Sequence, residues 1–314
     1  MIKFEHICKS YGGMRVIDDL NLHIARGELL VLIGVSGSGK STLLKMINRL
    51  EPHDAGRILF DGQEIYAFKP RDLRLRMGYV IQSIGLFPHW TVARNIATVP
   101  HMLGWGAQKI SARVDELLNL LDLDPALYRQ RLPHQLSGGQ QQRVGVARAL
   151  AADPDILLMD EPFGALDPFT RTTLQLELKR IHQLSGKTIV LVTHDIDEAL
   201  RLASRIVLID QGRVVQVATP LALLTAPANA FVADFVGRSD MGIKLLSLKC
   251  AASLARPQAA VAGPTLLASM SLRETVSAMA LQQVPCVNLT DSHGAHVGVL
   301  HAIDLFAPSG APLG

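Results

Sequence analysis

Cysteine is scarce: three residues, Cys8, Cys250 and Cys286, in a chain of 314. They share no close spacing, so neither a zinc ribbon nor a disulfide framework can be built from them, and the count suits a reducing compartment. No apolar run approaches the roughly 20 residues that span a bilayer. The longest, "LLVLIGV" and "ILLM", are strand-sized. The opening "MIKFEHICKS" lacks the apolar segment of a secretory signal. A net charge of +3 is too small to argue for nucleic acid or an anionic membrane surface, and no internal repeat is visible. What remains is a chain that is 48% hydrophobic, long enough for one large domain and a small one, and expected in the cytoplasm.

Continuous apolar runs suit strands buried on both faces. "LLVLIGV", "DILLMDEP" and "TIVLVTHD" read this way, and each is followed by a helical pattern, so this part is α/β with a parallel sheet. "HICKSY" and "LNLHI" alternate as half-buried strands do. A strand is expected to end at Gln82, residues 91–150 read as helical, and "RIVLIDQGRVVQVA" reads as a hairpin about Gln211 and Gly212. Two short helices follow near 219–225 and 229–236. The Ala- and Pro-rich "CAASLARPQAAVAGP" reads as a linker or loose edge.

"GVSGSGKS" (34–41) fits G-x-x-x-x-G-K-S in the context the motif needs, after a strand and before a helix. Gly34, Val35, Ser36, Gly37, Ser38 and Gly39 can turn backbone N–H groups around phosphates. Lys40 can reach the β- and γ-phosphates of ATP, and the Ser41 hydroxyl can ligate Mg²⁺; Thr42 follows inside the helix, whose N-terminal dipole adds to the attraction. "ILLMDEP" brings two carboxylates to a strand end: Asp160 to hold Mg²⁺ and Glu161 to polarise the attacking water. Successive residues of a strand point to opposite sides, but the strand stops here, so both can face one ligand. Gln82 ends another strand and can sense Mg²⁺ and water. His194 stands at the ligand edge of an open α/β sheet, where it either touches the γ-phosphate or bonds a loop. Tyr11, before two glycines, either stacks on adenine or covers a sheet edge.

A second loop, "LSGGQ" (136–140), opens a helix without any lysine of its own. Ser137, Gly138, Gly139 and Gln140 make a poor phosphate site alone, yet their helix-head N–H groups suit a phosphate already held on its other side.

The order of Tyr11, "GVSGSGKS", Gln82, "LSGGQ", "ILLMDEP", "GALD" and His194 resembles the ATP-binding subunit of ABC transporters, over residues 1–237. "LSGGQ" is the discriminating piece. The resemblance implies a P-loop ATPase domain with a helical subdomain. It implies a head-to-tail dimer of two copies, with each ATP between the phosphate loop of one and Ser137–Gly139 of the other, and with Asp167 of "GALD" crossing the same interface. Relatives in DNA repair, chromosome structure and translation are the non-transport alternatives. They carry coiled coils, zinc modules or paired ATPase units, and no such insertion lies between Lys40 and Leu136. With no membrane segment of its own, the chain is expected on the cytoplasmic side of the inner membrane, bound to a separate permease. The family's docking groove falls at 83–97, where Phe87, Pro88, His89 and Trp90 form an apolar cluster that reads as a permease socket, a buried hydrophobic corner, or both. "KMINRL", "QSIGLFPHWTVARNIATVP" and "FVGRSD" resemble quaternary-amine uptake systems, which import glycine betaine or choline with a substrate-binding protein. Import of another small solute, an amino acid or polyamine, is the alternative.

After the expected linker at 238–263, residues 264–314 resemble one CBS repeat. "LRETVSAMALQQ" reads as a helix, "VPCVNLT" and "HVGVL" as strands, and Asp304 stands at the acidic position. CBS repeats pair, and one is present, so it either pairs with the copy in the partner subunit and regulates, or is a remnant.

Overall fold

The computed structural model describes residues 1–81, 85–164 and 166–306. Two compact units divide the chain, Met1–Thr219 and Pro220–Gly314. No helix among the described residues is long and apolar enough to cross a membrane.

The strands of the first unit are β1 (Ile2–Tyr11), β2 (Met14–Ile24), β3 (Leu29–Ile33), β4 (Ala55–Phe60), β5 (Gln63–Glu64), β6 (Met77–Val80), β7 (Ile156–Asp160), β8 (Thr188–Val192), β9 (Arg205–Asp210) and β10 (Arg213–Ala218). An antiparallel sheet has the order β2-β1-β4-β5, and a second sheet the order β10-β9-β3-β8-β7-β6. Within the second, β3, β6, β7, β8 and β9 run parallel, and β10 returns antiparallel through the turn Gln211–Gly212, both at positive φ. All five residues of β3 and of β8 are buried, which is why they read as unbroken apolar runs. Phe4, Phe60, Leu30, Leu32, Leu44, Val190 and Val207 belong to one core drawn from both sheets and the helix Lys40–Ile47. Between β6 and β7 lies the helical part, including the helices Ala107–Leu120 and Gly138–Leu150. The helix Pro168–Ser185 follows β7 and the helix Ile196–Leu202 follows β8. The carboxyl ends of β3, β7 and β8, neighbours in the sheet, therefore open on one edge, the ligand edge of such sheets.

In the second unit, β11 (Thr265–Leu267), β12 (Cys286–Thr290) and β13 (His296–His301) form a sheet in that order, β11 parallel and β13 antiparallel to β12. The helix Leu272–Gln282 starts from a capping box of Ser271 and Glu274. β11 has no counterpart in the sequence reading, and "AIDLF", read as the start of a helix, forms a 3-10 turn at Ala302–Phe306.

The segment 238–263, expected as a linker, is built into this unit. It holds the helix Met241–Leu248, and Ala251, Leu254 and Ala255 pack in the same core as Leu272, Val287, Leu289 and Leu300. Arg256 and Val299 exchange backbone hydrogen bonds of 2.8 and 3.0 Å. The Asn288 side chain accepts from Val261 N at 2.9 Å and donates to Val261 O at 2.8 Å. Gly298, at φ 158°, has no room for a Cβ, which would stand 2.5 Å from Arg256 O. Alanine and proline give residues 250–263 no periodicity; their docking is set by the sheet and by the turn before the helix Leu272–Gln282, where Ala251 N and Ala252 N donate to Met270 O and Ala268 O.

Candidate nucleotide site

The loop between β3 and the helix Lys40–Ile47 is held tightly from behind. A Cβ on Gly34 would stand 2.0 Å from Ile209 O, and one on Gly39 2.4 Å from Ile17 Cδ1. Gly37 and Gly39 have φ of 80° and 101°, a conformation open to glycine and strained for other residues. Ser38 is buried, and so is Lys40, at 6% exposure. The Lys40 Nζ donates to the carbonyls of Gly34 at 2.9 Å and Val35 at 2.8 Å. Burial pushes its pKa down, while the Glu161 and Asp160 carboxylates pull it back up. The loop thus stores its cation against its own carbonyls, at the mouth of a cleft of about 620 Å³.

Ser36, Gly37, Gly39, Lys40, Ser41, Thr42, Glu161 and His194 line that cleft. The Ser41 hydroxyl donates to Asp160 Oδ1 at 2.7 Å. A hydroxyl and a carboxylate side by side are hard oxygen donors and fit Mg²⁺, which takes one or two protein ligands and completes its shell with water and phosphate. Asp160 and Glu161 face the same edge because Glu161 leaves the strand at φ 45°, in the left-handed region, which breaks the alternation of the pleat. Its backbone N–H donates to Val192 O at 3.0 Å, fixing the end of β7 to the end of β8. His194, just beyond β8, brings Nδ1 to 3.2 Å from Glu161 Oε1 and keeps its side chain 65% exposed. The motifs from three separate strands therefore meet in one cleft. Val16 of β2 lines it too; a valine in an alternating strand carries no signal that would have singled it out.

Val35 and Tyr11 flank the cleft, each 44% exposed. Lys9 Nζ lies 5.1 Å from the centroid of the Tyr11 ring. Burial, and then the Glu51 carboxylate, raise the Tyr11 pKa, with the Thr42 hydroxyl acting in the opposite direction. That contact places the ring beside the first turn of the phosphate-loop helix. Gln82 lies outside the described residues.

The second loop is of another kind. Ser137 caps the helix Gly138–Leu150: its Oγ accepts from Gln140 N at 3.3 Å, and Gln140 Oε1 accepts from Ser137 N at 3.0 Å. The other end of the Gln140 amide donates to the Tyr128 hydroxyl at 3.1 Å, so this side chain is engaged at both ends within the fold. Ser137 and Gly138 are exposed and are not among the residues lining the phosphate-loop cleft. Gly139 is a packing residue, since a Cβ would stand 2.3 Å from Thr170 Cγ2, whereas a Cβ on Gly138 would have ordinary room, 3.7 Å from Leu166 Cδ2. Asp167 caps the helix Pro168–Ser185, accepting from Thr170 N at 3.0 Å, and the Thr170 hydrogen bonds hold its carboxyl below the usual range.

Of residues 83–97, those from 85 onward are described. Phe87, Pro88 and His89 are exposed, which removes the buried-corner reading of the aromatic cluster. The Phe87 and Trp90 rings stand 4.3 Å apart. The fully buried Asn95 fixes the turn beneath them, accepting from Phe87 N at 2.8 Å and donating to the Phe87, Trp90 and Thr91 carbonyls. Trp90, Arg94, Ala97, His101, Met102 and Arg129 line a groove of about 750 Å³ beside it.

The ABC transporter family model matches residues 17–164. The glycine betaine uptake system ATP-binding protein YehX of Escherichia coli is 56% identical over 305 residues, 97% of this chain and 99% of that protein. The glycine betaine/carnitine/choline transport ATP-binding protein OpuCA of Bacillus subtilis is 53% identical over 242 residues, 77% of this chain and 63% of that protein. Among solved structures, the dimeric post-hydrolysis state of the ATP-binding cassette MJ0796 bound to ADP and Pi aligns at TM-score 0.62 and 33% identity, over 70% of this chain and 99% of that one. Identity of this depth along nearly the whole of a relative leaves one family: the chain belongs to the ATP-binding subunits of ABC transporters and is an ATPase of that family.

Proposed function

We propose that this chain powers the uptake of glycine betaine, choline or a related quaternary amine through a separate permease. The observation that carries the reading is the reach of the sequence match. Both relatives named above are quaternary-amine transport proteins by name, and the first matches the tail as well as the engine.

ATP enters the cleft with its phosphates on the 34–41 loop and its adenine toward Tyr11. Lys40 exchanges the Gly34 and Val35 carbonyls for the β- and γ-phosphates. Ser41 and Asp160 would hold Mg²⁺, with Gln82 the third ligand expected from the sequence; the ion would supply charge neutralisation on the phosphate oxygens. Glu161 orients the attacking water, and His194, already against Glu161, faces the γ-phosphate. Little covalent chemistry falls to the protein; positioning and charge stabilisation carry the rate. The site is completed by a second copy, whose Ser137, Gly138 and Gly139 cap the γ-phosphate and whose Asp167 crosses the interface. Gly138, which no packing contact demands, is the position where a side chain would obstruct that approach.

The groove beside Trp90 and Arg94 takes a short helix of the permease, which holds this subunit at the cytoplasmic face of the membrane in a system with a substrate-binding protein. Residues 264–314 are read as a single CBS-like repeat. Its Asp304 is already paired with Arg256, so a nucleotide would have to displace an arginine of the same chain, which favours a structural module over a nucleotide sensor.

The test is uptake of labelled glycine betaine and choline in cells making this protein with its permease, at low and high osmolarity, beside a Lys40→Ala strain. Uptake lost in that strain supports both direction and substrate. Equal uptake in the two strains, with ATPase activity intact in the purified complex, rejects the solute.

A further inference from the structure

The helix Pro168–Ser185 begins at Asp167, and the helix Ile196–Leu202 begins just beyond His194 of the nucleotide cleft. Asp167 caps the first, and Asp195, next to His194, caps the second, accepting from the N–H groups of Asp197 at 2.8 Å and Glu198 at 3.1 Å. About two turns into the first helix and within the first turn of the second, two buried polar side chains meet: Gln175 at 2% exposure and Glu198 at 5%. Gln175 Nε2 lies 3.5 Å from Glu198 Oε2, and Gln175 Oε1 accepts from Arg201 at 2.7 Å. Glu198 Oε1 is buried without a hydrogen-bond partner. Arg171, from the first helix, donates to Leu166 O at 3.0 Å and stands 4.0 Å from the Asp195 carboxylate. No step of the reaction uses this cluster, and burying an unmet carboxyl oxygen is costly. A leucine here would pack the two helices at lower cost.

We propose that Glu198 is a positioning residue: with Gln175 it fastens the helix that carries His194 to the helix that Asp167 opens, so that the γ-phosphate contact and the cross-dimer contact move as one body. The inference rests on the roles given to His194 and Asp167 above. The junction works with Glu198 in its protonated form. Burial first, and the Asp195 carboxylate second, push its pKa up to about 8, against the opposing pull of Arg171 and of hydrogen bonds from Thr193 and Gln175. Arg201 faces Gln175 rather than Glu198. A neutral carboxyl accepts from Gln175 without the cost of a buried charge; ionisation above that pH strengthens this one hydrogen bond but adds the desolvation cost and the repulsion of Asp195, and the balance works against the junction.

The experiment compares wild type, Glu198→Gln, Glu198→Leu and Gln175→Leu as full chains, in MgATP hydrolysis across pH and in thermal unfolding. Leucine at either position should lower kcat roughly ten- to a hundredfold, the scale of a misplaced positioning group, with KM for ATP unchanged because the 34–41 loop is untouched. Glu198→Gln should restore kcat near neutral pH and remove the fall in wild-type turnover above about pH 8. Unfolding supplies a readout free of catalysis. The unfolded chain ionises Glu198 above its ordinary value of 4.5 while the folded chain keeps the proton to about 8. The group's contribution is therefore full below 4.5 and lost as pH rises through 8, and Glu198→Gln should gain in Tm over wild type across that window. Folded leucine variants with wild-type kcat, or a Gln variant with the wild-type alkaline fall, would overturn the proposal. His194→Ala in the same assay separates this failure from that of the site: if it too turns over normally, the reading of His194 is at fault.

Discussion

Two loops on this molecule open a helix with serine and glycine, and they follow opposite rules. The loop at 34–41 is walled in by Ile209 and Ile17, uses left-handed glycines, and keeps a buried lysine against its own carbonyls. The loop at 137–139 is exposed at Ser137 and Gly138, passes from an extended Ser137 cap straight into an ordinary helix, and brings no cation. The first holds everything needed to bind phosphate charge. The second offers N–H groups and nothing to retain an anion, so on its own it is half a site. What separates them is the fixed positive charge, and that difference is what the proposed two-copy site would use: the second loop can serve only where the first already holds the phosphate.

The comparison breaks most simply at Lys40. Lys40→Ala removes the only fixed positive charge of the 34–41 loop, and MgATP turnover should fall on the order of a thousandfold, as for loss of a direct charge-stabilising donor. Turnover near wild type would mean that phosphate binds elsewhere. Glu161→Gln comes next. Turnover should drop roughly a hundredfold or more through loss of the group that orients water, while Lys40 still binds ATP. Light scattering with MgATP should then register a dimer, because the two half-sites stay closed around uncleaved nucleotide. A strict monomer, also when assembled with the permease, would leave the second loop without a purpose.

The glycines of the second loop sharpen the contrast. Gly139→Ala drives a methyl group into Thr170 and should cost about 1–3 kcal/mol by overpacking, seen as a lower Tm. Gly138→Asp meets no such obstacle, and a carboxylate in the first turn favours the helix dipole by roughly 0.3–1 kcal/mol. Its Tm should hold or rise while turnover falls roughly tenfold through repulsion of the partner's γ-phosphate. Unaltered turnover in Gly138→Asp would mean that no anion approaches this helix head.

Most of this contrast is legible in the sequence, because both loops are contiguous and their chemistry is local. Asp160, Glu161 and His194 could be named from strand ends, since parallel strands deliver their carboxyl ends to one edge, and Ser41 from the phosphate-loop motif. Val16, Asn95 and Glu198 could not. Val16 and Glu198 act through residues far along the chain, and Asn95 through a local turn that only the folded backbone defines; nothing in "RVIDD", "ARNIA" or "DIDEA" distinguishes them from neighbours of similar polarity. The segment 238–263 fails for a different reason. Its ordering depends on Gly298 and Asn288, which lie beyond it in the chain, and its own composition reads as slack.

That segment yields the smallest expected effect on turnover. Arg256 joins Asp304 by a forked ion pair, Nε lying 3.1 and 3.0 Å from the two carboxylate oxygens, with the Asp304 side chain 1% exposed. The Arg256 hydrogen bonds hold the Asp304 carboxyl below its ordinary value of 3.8. The pair therefore stabilises the second unit above that pH, and its contribution is lost as the pH falls through the lowered value. Asp304→Asn should cost the second unit about 1–3 kcal/mol at neutral pH, the scale of a lost charged hydrogen-bond pair. The cost should shrink toward nothing in acid, where the wild-type carboxyl is itself protonated. Basal ATP turnover should not move, because none of the residues lining the nucleotide cleft comes from the second unit. Calorimetry of the variant should lower one transition and leave the ATP-stabilised one in place. A fall in basal turnover of the same size as the loss of stability would make the tail part of the engine, and the division of the chain into a motor and an appended module would have to be abandoned.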